Sequence, residues 1–276
     1  MNQRKIFTAL WIVLGFGVML TLFLLVVFSG TSVQMPQGME GVEQESTLPP
    51  PPENIYTPKD FGYVGDYLTC LTDESIMGID VSSYQKQIDW EAVKQAGVEF
   101  VMIRLGYRGY GEGQLKADKF AQENYQGAKA AGLKIGAYFF SQAITVEEAE
   151  EEAHYAMELA EGWELDMPLV YDWECLADDY RTVGVNARML TDCTKAFCDT
   201  VEAEGYQSMV YFNPNQSRKQ MYLAELTQYG FWLAMYSDQM NYPYRVDMWQ
   251  YTNKGKVPGI NGKVDINLFF PGQKGT

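Results

Sequence analysis

The chain has 276 residues, 47% of them hydrophobic and 14% aromatic, with 36 acidic against 21 basic side chains and a formal net charge of −15. That length and apolar content support one large domain with appendages. An acidic chain with no basic run past residue 5 is not built to bind nucleic acid, and its one histidine, His154, excludes a zinc site made of several histidines.

Ile6 to Phe28 is almost wholly apolar and uncharged. At about 1.5 Å per residue it reaches roughly 34 Å as a helix, enough to cross a bilayer core. Arg4 and Lys5 precede it, and no Lys or Arg follows until Lys59. The positive-inside rule then leaves residues 1–5 in the cytoplasm and everything after Phe28 outside a bacterial cell membrane. A cleaved signal peptide is the competing reading, with an apolar core of usually only about 7 to 15 residues. Residues 29–60 read as a linker, with the semi-rigid run Pro49-Pro50-Pro51-Pro52 in a composition that cannot bury a core. Residues 61–75 read as a short lead-in packed on the domain.

From Ile76 strands alternate with helices. Ile76–Val81, Val98–Leu105, Leu133–Phe140, Met167–Trp173 and Gln207–Phe212 have strand patterns. Between them Trp90–Ala96, Asp118–Ala131, Thr145–Glu161 and Asn186–Glu204 have helix patterns. Gly97, Gly132 and Gly205 each follow a helix and precede a buried strand, the place for a C-terminal cap. Thr145 with Glu148 three residues on is a capping box. Glu147–Glu152 looks like an acidic outer helix face, with His154 on the surface. The four cysteines, Cys70, Cys175, Cys193 and Cys198, have no C-x-x-C spacing and read as mostly reduced and buried. After Phe212 helices thin out, and Phe231–Tyr236, Val246–Tyr251 and Val264–Phe269 read as strands. Repeated βα units imply a parallel sheet. About eight strands with about five early helical crossovers point to an α/β fold, an irregular TIM-type barrel over 76–270 with a short tail at 271–276. An open doubly wound sheet is the alternative.

The stretch Leu169-Val170-Tyr171-Asp172-Trp173-Glu174 ends a buried strand in two carboxylates. Positions i and i+2 share a strand face, roughly 6 to 7 Å apart along the backbone. Neighbouring carboxyls hinder each other's ionisation, so one keeps its proton, and one residue type supplies both an acid and a base. A pair of solvated acids at a strand end is the plainer reading. Asp80 and Asp265 also interrupt apolar strands, where a charge is costly unless paired or functional. In a parallel barrel the carboxyl ends of the strands carry the site. There these four acids are expected to converge with Arg104, Tyr138, Tyr211, Asn213, Trp249 and Gln250.

Gly78-Ile79-Asp80-Val81-Ser82, Gln85 and Ile88-Asp89-Trp90 resemble the opening signature of the glycoside hydrolase family 25 lysozymes. Phe100-Val101-Met102-Ile103-Arg104, Gly136-Ala137-Tyr138-Phe139-Phe140, Tyr171-Asp172-Trp173-Glu174, Trp249-Gln250-Tyr251 and Val264-Asp265-Ile266-Asn267 continue it in the family's order. The likeness covers about Ile76 to Phe270, with Lys86 where many members have Gly and Phe139 where many have His. It implies a barrel of five β/α units and three further strands, (β/α)5(β)3. It also implies an N-acetylmuramidase that cuts the β-1,4 bond between N-acetylmuramic acid and N-acetylglucosamine in peptidoglycan. By matched position Glu174 is the general acid and Asp172 orients and stabilises the 2-acetamido group. A retaining, substrate-assisted route follows, one of the exceptions to the usual two-carboxylate scheme. Asp80 and Asp265 hold substrate and tune Glu174. Tyr138, Tyr211 and Trp249 form sugar-facing walls, and Asn213, Gln250, Arg104 and Asn267 bind substrate. The reading calls for no cofactor or metal, and a monomer is expected. A non-catalytic wall-binding module of the same fold is the first alternative. A hydrolase holding Mg²⁺ or Ca²⁺ through Asp80, Asp172 and Asp265 is the second.

Overall fold

The computed structural model describes residues 48–175 and 180–273. The expected cytoplasmic segment 1–5, the membrane anchor 6–28 and the linker up to residue 47 lie outside the described residues. Among the described residues no helix is long and apolar enough to cross a membrane.

The elements follow in chain order. A hairpin of β1 (Phe61–Val64) and β2 (Tyr67–Cys70) comes first. Then come β3 (Ile76–Val81), α1 (Trp90–Gln95), β4 (Phe100–Arg108), β5 (Leu115–Ala117), α2 (Ala121–Ala130), β6 (Lys134–Ser141), α3 (Val146–Leu159), β7 (Leu169–Trp173), α4 (Ala187–Ala203), β8 (Ser208–Phe212), α5 (Pro214–Lys219), β9 (Gly230–Ala234), β10 (Met248–Gly255) and β11 (Val264–Phe269). Five helices thus follow five strands of the barrel, and three strands complete it. Each helix start has a polar cap where the sequence allows one. Asp89 accepts from the Ala92 N–H, Thr145 from Glu148 and Asn186 from Met189. Gly97, Gly132 and Gly205 take φ of 93°, 70° and 89°, the left-handed backbone that stops a helix and suits glycine.

Strands β3, β4, β6, β7, β8, β9 and β10 pair in parallel, in that order. Strand β11 runs antiparallel to both β10 and β3 and closes the barrel. The closed barrel settles the choice against an open sheet. Side chains alternate across the wall. Ile76, Phe100, Met102, Tyr138, Met167, Val170, Met209, Trp232 and Met248 fill the interior. Gly78 and Gly136 make room for them. A Cβ on Gly78 would lie 2.3 Å from the Phe100 ring, and one on Gly136 2.5 Å from Met102 Sδ. A second core packs helices onto the outer wall, with Val93, Ala128, Ala153, Phe197 and Val201 fully buried.

Among the described residues the last three strands have no such helices outside them, and the N-terminal hairpin packs over β10 and the exit of β11. Phe61 packs edge-on against Trp249 at 5.1 Å and against Phe270 at 6.1 Å, and Leu68 and Cys70 are buried beside them. The lead-in expected at 61–75 thus includes a two-stranded sheet of its own, packed on the outside of the barrel.

The linker boundary at residue 60 needs correction. Arg245 N–H donates to the Pro52 carbonyl at 2.8 Å, Asn54 N–H to Pro243 at 2.9 Å, and Glu53 bridges Tyr244. Tyr56 is buried against Phe270. Backbone hydrogen bonds and one aromatic ring dock 51–60 on the barrel despite its proline content. The acidic outer face expected at Glu147–Glu152 also needs correction. Glu152 is fully buried and pairs with Arg108 at 2.7 Å, while His154 is exposed. Cys70, Cys193 and Cys198 are free and buried, and Cys175 is free and exposed.

Candidate active site

Inward-facing residues at the carboxyl ends of the parallel strands surround a cleft of about 330 Å³. Asp80, Asp172, Glu174 and Asp265 all line it, as the sequence expected. Register explains the convergence. Asp80 on β3 lies opposite Asp265 on antiparallel β11, and Asp172 on β7 lies beside Tyr211 on β8. Glu174 follows β7 by one residue and shares the inward parity of Asp172.

A hydrogen-bonded chain holds Asp80. Its Oδ2 accepts from Gln250 Nε2 and from Asn267 Nδ2, each at 2.8 Å. Both amides have their orientation fixed from behind. Gln250 Oε1 accepts from the Tyr211 and Tyr236 hydroxyls at 2.9 and 3.1 Å, and Asn267 Oδ1 accepts from Trp232 Nε1 at 2.9 Å. Among the described residues Arg104 is the one cation lining the cleft. Its Nε and Nη2 both donate to Asp118 Oδ2, at 2.9 and 2.7 Å, and its guanidinium lies over the Tyr84 and Tyr107 rings.

Burial raises all four carboxyl groups, and repulsion by neighbouring carboxylates adds to the rise of Asp172, Glu174 and Asp265. Burial pushes Asp80 up to about 6 against the pull of its two amide donors. Burial first, and then the charge of Asp80, carries Glu174 to about 6 and Asp265 to about 8. Asp172 lies well above the ordinary range, through burial and then the charges of Glu174 and Asp80. Its Oδ1 is buried with no hydrogen-bond partner among the described residues. Such a group titrates with its neighbours as a unit. Near neutral pH the site holds both protonated and ionised carboxyls within one cleft, the condition for acid–base work on a single bond.

Other expected site residues separate. Tyr138, Tyr211, Gln250 and Arg104 line the cleft, and Asn267 acts from below through Asp80. Trp249 does not line it. Its indole points outward, donates to the Met235 carbonyl at 2.8 Å and packs on Phe61. Gln250 faces inward, so its strand neighbour must face the other way. Asn213 does not line it either, because its side chain caps α5 by accepting from the Asn215 and Gln216 N–H groups. Asn followed by Pro214, with Gln216 three residues on, is a capping box that was legible in the sequence. Trp232, Tyr236, Tyr84, Tyr110 and Phe140 line the cleft and were not singled out. Trp232 stands in an all-apolar strand whose pattern does not reveal an inward face, Phe140 lies in β6 two residues past Tyr138 and shares its face, and Tyr84, Tyr110 and Tyr236 lie beyond strand ends.

The sequence profile of glycosyl hydrolases family 25 matches residues 79–260. The chain belongs to this family. It is similar to the autolytic lysozyme of Clostridium acetobutylicum, 30% identical over 196 residues, which cover 71% of this chain and 56% of that protein. Among solved structures, the family 25 barrel here resembles that of the modular autolysin LytC from Streptococcus pneumoniae. There the TM-score is 0.62 at 25% identity, over 71% of this chain and 47% of that one. It also resembles the bacterial lysozyme from Streptomyces coelicolor, with a TM-score of 0.56 at 25% identity over 71% of this chain and 92% of that one. The chain thus spans about half the length of this clostridial lysozyme and this pneumococcal autolysin.

Proposed function

We propose that this family 25 chain is a peptidoglycan hydrolase, an N-acetylmuramidase cutting the β-1,4 bond between N-acetylmuramic acid and N-acetylglucosamine. The observation that carries the reading is the pair Asp172 and Glu174, on one face of β7 and its exit, in a cleft that raises both carboxyls above their ordinary range. The lysozyme and autolysin names of the matched proteins support the same chemistry.

Glu174 is the more exposed of the two and supplies the general acid. A sugar acetamido N–H donated to Asp172 favours the ionised form of Asp172. The shared proton then resides on Glu174, which gives it to the leaving glycosidic oxygen. The acetamido oxygen attacks the anomeric carbon as that bond breaks, and ionised Asp172 stabilises the positive charge on the resulting ring. Water, deprotonated by Glu174, then opens the ring and leaves a β product. Asp80, held by two amides, places negative charge beneath the developing oxocarbenium-like centre, and Asp265, which keeps its proton beside that charge, holds substrate by hydrogen bonding. Tyr138, Tyr211 and Trp232 shape the floor and walls. We also propose that residues 6–28 anchor the protein in the cell membrane with the barrel outside, supported by the apolar length and by Arg4 and Lys5 on its inner side.

Glu174→Gln tests the assignment. The amide keeps the shape but cannot deliver a proton, so release of reducing ends from purified peptidoglycan falls by about 10² to 10⁴-fold, with an unchanged melting curve. Wild-type turnover by the folded variant would remove Glu174 from this role.

A further inference from the structure

Glu174 lies past the last ladder partners of β7, which pair Trp173 with Ser141 on one side and Asp172 with Tyr211 on the other. No sheet bond fixes its backbone, and its carboxylate makes no hydrogen bond among the described residues. What holds it is a pair of buried glutamines from two neighbouring elements. Gln142, just past β6, is fully buried, and its Nε2 donates to the carbonyls of Ser141, at 2.9 Å, and Glu174. Gln216, on α5, is 3% exposed, and its Nε2 donates to the Trp173 carbonyl at 2.7 Å. Two side-chain amides therefore grip consecutive carbonyls where the strand ladder has run out.

Each amide is aimed in turn. Gln216 Oε1 accepts from the Asn213 N–H at 2.9 Å, the returning half of the α5 capping box, so a helix cap sets the direction of its Nε2. Gln142 faces two carbonyls, so only its NH₂ can point that way. Its Oε1 is left buried without a partner among the described residues, an arrangement that costs stability. Trp173 Nε1 adds a bond to the Ala143 carbonyl at 2.8 Å.

We propose that Gln142 and Gln216 are positioning residues that set the reach of Glu174 to the leaving oxygen. This rests on the reading of Glu174 as general acid. A displacement of about 1 Å at a reacting group is worth on the order of 10²-fold in rate, and a backbone freed at both carbonyls allows such a shift.

The test compares two substrates that need the acid unequally, with Gln142→Met and Gln216→Met in the full chain. Peptidoglycan has a poorly leaving sugar alkoxide. A 4-nitrophenyl β-glycoside of the same muramyl unit leaves without a proton. Each variant is expected to lower kcat on peptidoglycan about 10-fold or more with KM little changed, and to leave kcat/KM on the nitrophenyl glycoside, which reports the loss of nitrophenolate before the water step, near wild type. Equal losses on both substrates, or no loss on either, overturn the proposal. Glu174→Gln is run alongside. If it lacks the leaving-group pattern, the general-acid reading fails. If it shows the pattern and the glutamine variants do not, only the positioning inference fails. Gln216→Glu covers the case of a Met variant that does not fold. Its carboxyl donates to the Trp173 carbonyl only when protonated, so its peptidoglycan turnover relative to wild type should rise as pH falls. A flat ratio counts against the proposal.

Discussion

Asp265 faces Asp80 across the β11–β3 pair, and burial with that neighbouring charge carries its pKa from 3.8 to about 8. The folded chain therefore holds a proton that the unfolded chain releases above pH 3.8, and this group's contribution to stability falls as pH rises from about 4 to about 8. Asp265→Asn removes the ionisation while keeping the size. Its melting temperature should exceed wild type at pH 8, with the gap closing toward pH 4, as read by circular dichroism. A gap independent of pH would mean that the carboxyl is ionised throughout. Asp172 carries a second prediction. If it serves the acetamido group, the first product has β configuration, and proton NMR of the anomeric signal early in turnover should show it. Initial α anomer would instead make Asp172 a base acting on water. At this scale the four acids were legible, because charges that interrupt apolar strands stand out. Trp249 was misplaced for a reason also present in the sequence, since it and Gln250 cannot both face one side of a strand.

The elements were legible from helix caps and glycine stops, and their ends differ from expectation by only a few residues. Less legible was what the helices bury. On α3 the repeated glutamates divide between solvent and core. Glu152 turns inward to Arg108, which also donates to Glu151 at 2.7 Å and to the Gly113 carbonyl at 2.8 Å. Burial raises Glu152 to about 7 even beside that guanidinium. Replacing Arg108 with Met strands the buried acid, and a pair broken in this way costs about 3 to 5 kcal/mol. Urea unfolding at pH 7 should show that loss, and a smaller one at pH 5, where Glu152 is protonated and needs no partner. An equal loss at both pH values would assign the effect to packing of the Arg108 stem. The short β5 and α5 were missed because three- and six-residue elements have too few turns or alternations to show a period.

For the whole molecule, the alternation of strand and helix foretold the closed barrel. Packing of 61–75 on the domain was expected, but its hairpin form over β10 and the exit of β11 was not, because Phe61, Leu68 and Cys70 are spaced too irregularly to signal which face they bury. The proposed anchor makes its own prediction. Protease added to protoplasts should remove the barrel, and high salt should leave the protein with the membrane fraction. A soluble form beginning near residues 29–35 would show a cleaved signal in its place.

The docking of residues 51–56 has a consequence for where such a protein can work. They lie on the loop 242–245 that leads into the amino-terminal end of β10, and Phe270 leaves β11 at the same end. Both exits from the barrel are behind it, opposite the cleft. A chain held at Phe28 has only the 22 positions from 29 to 50 as its leash. Fully extended at about 3.3 to 3.6 Å per residue, these allow roughly 70 to 80 Å of travel. On the proposed anchoring, that span sets the greatest distance from the membrane at which the cleft can cut.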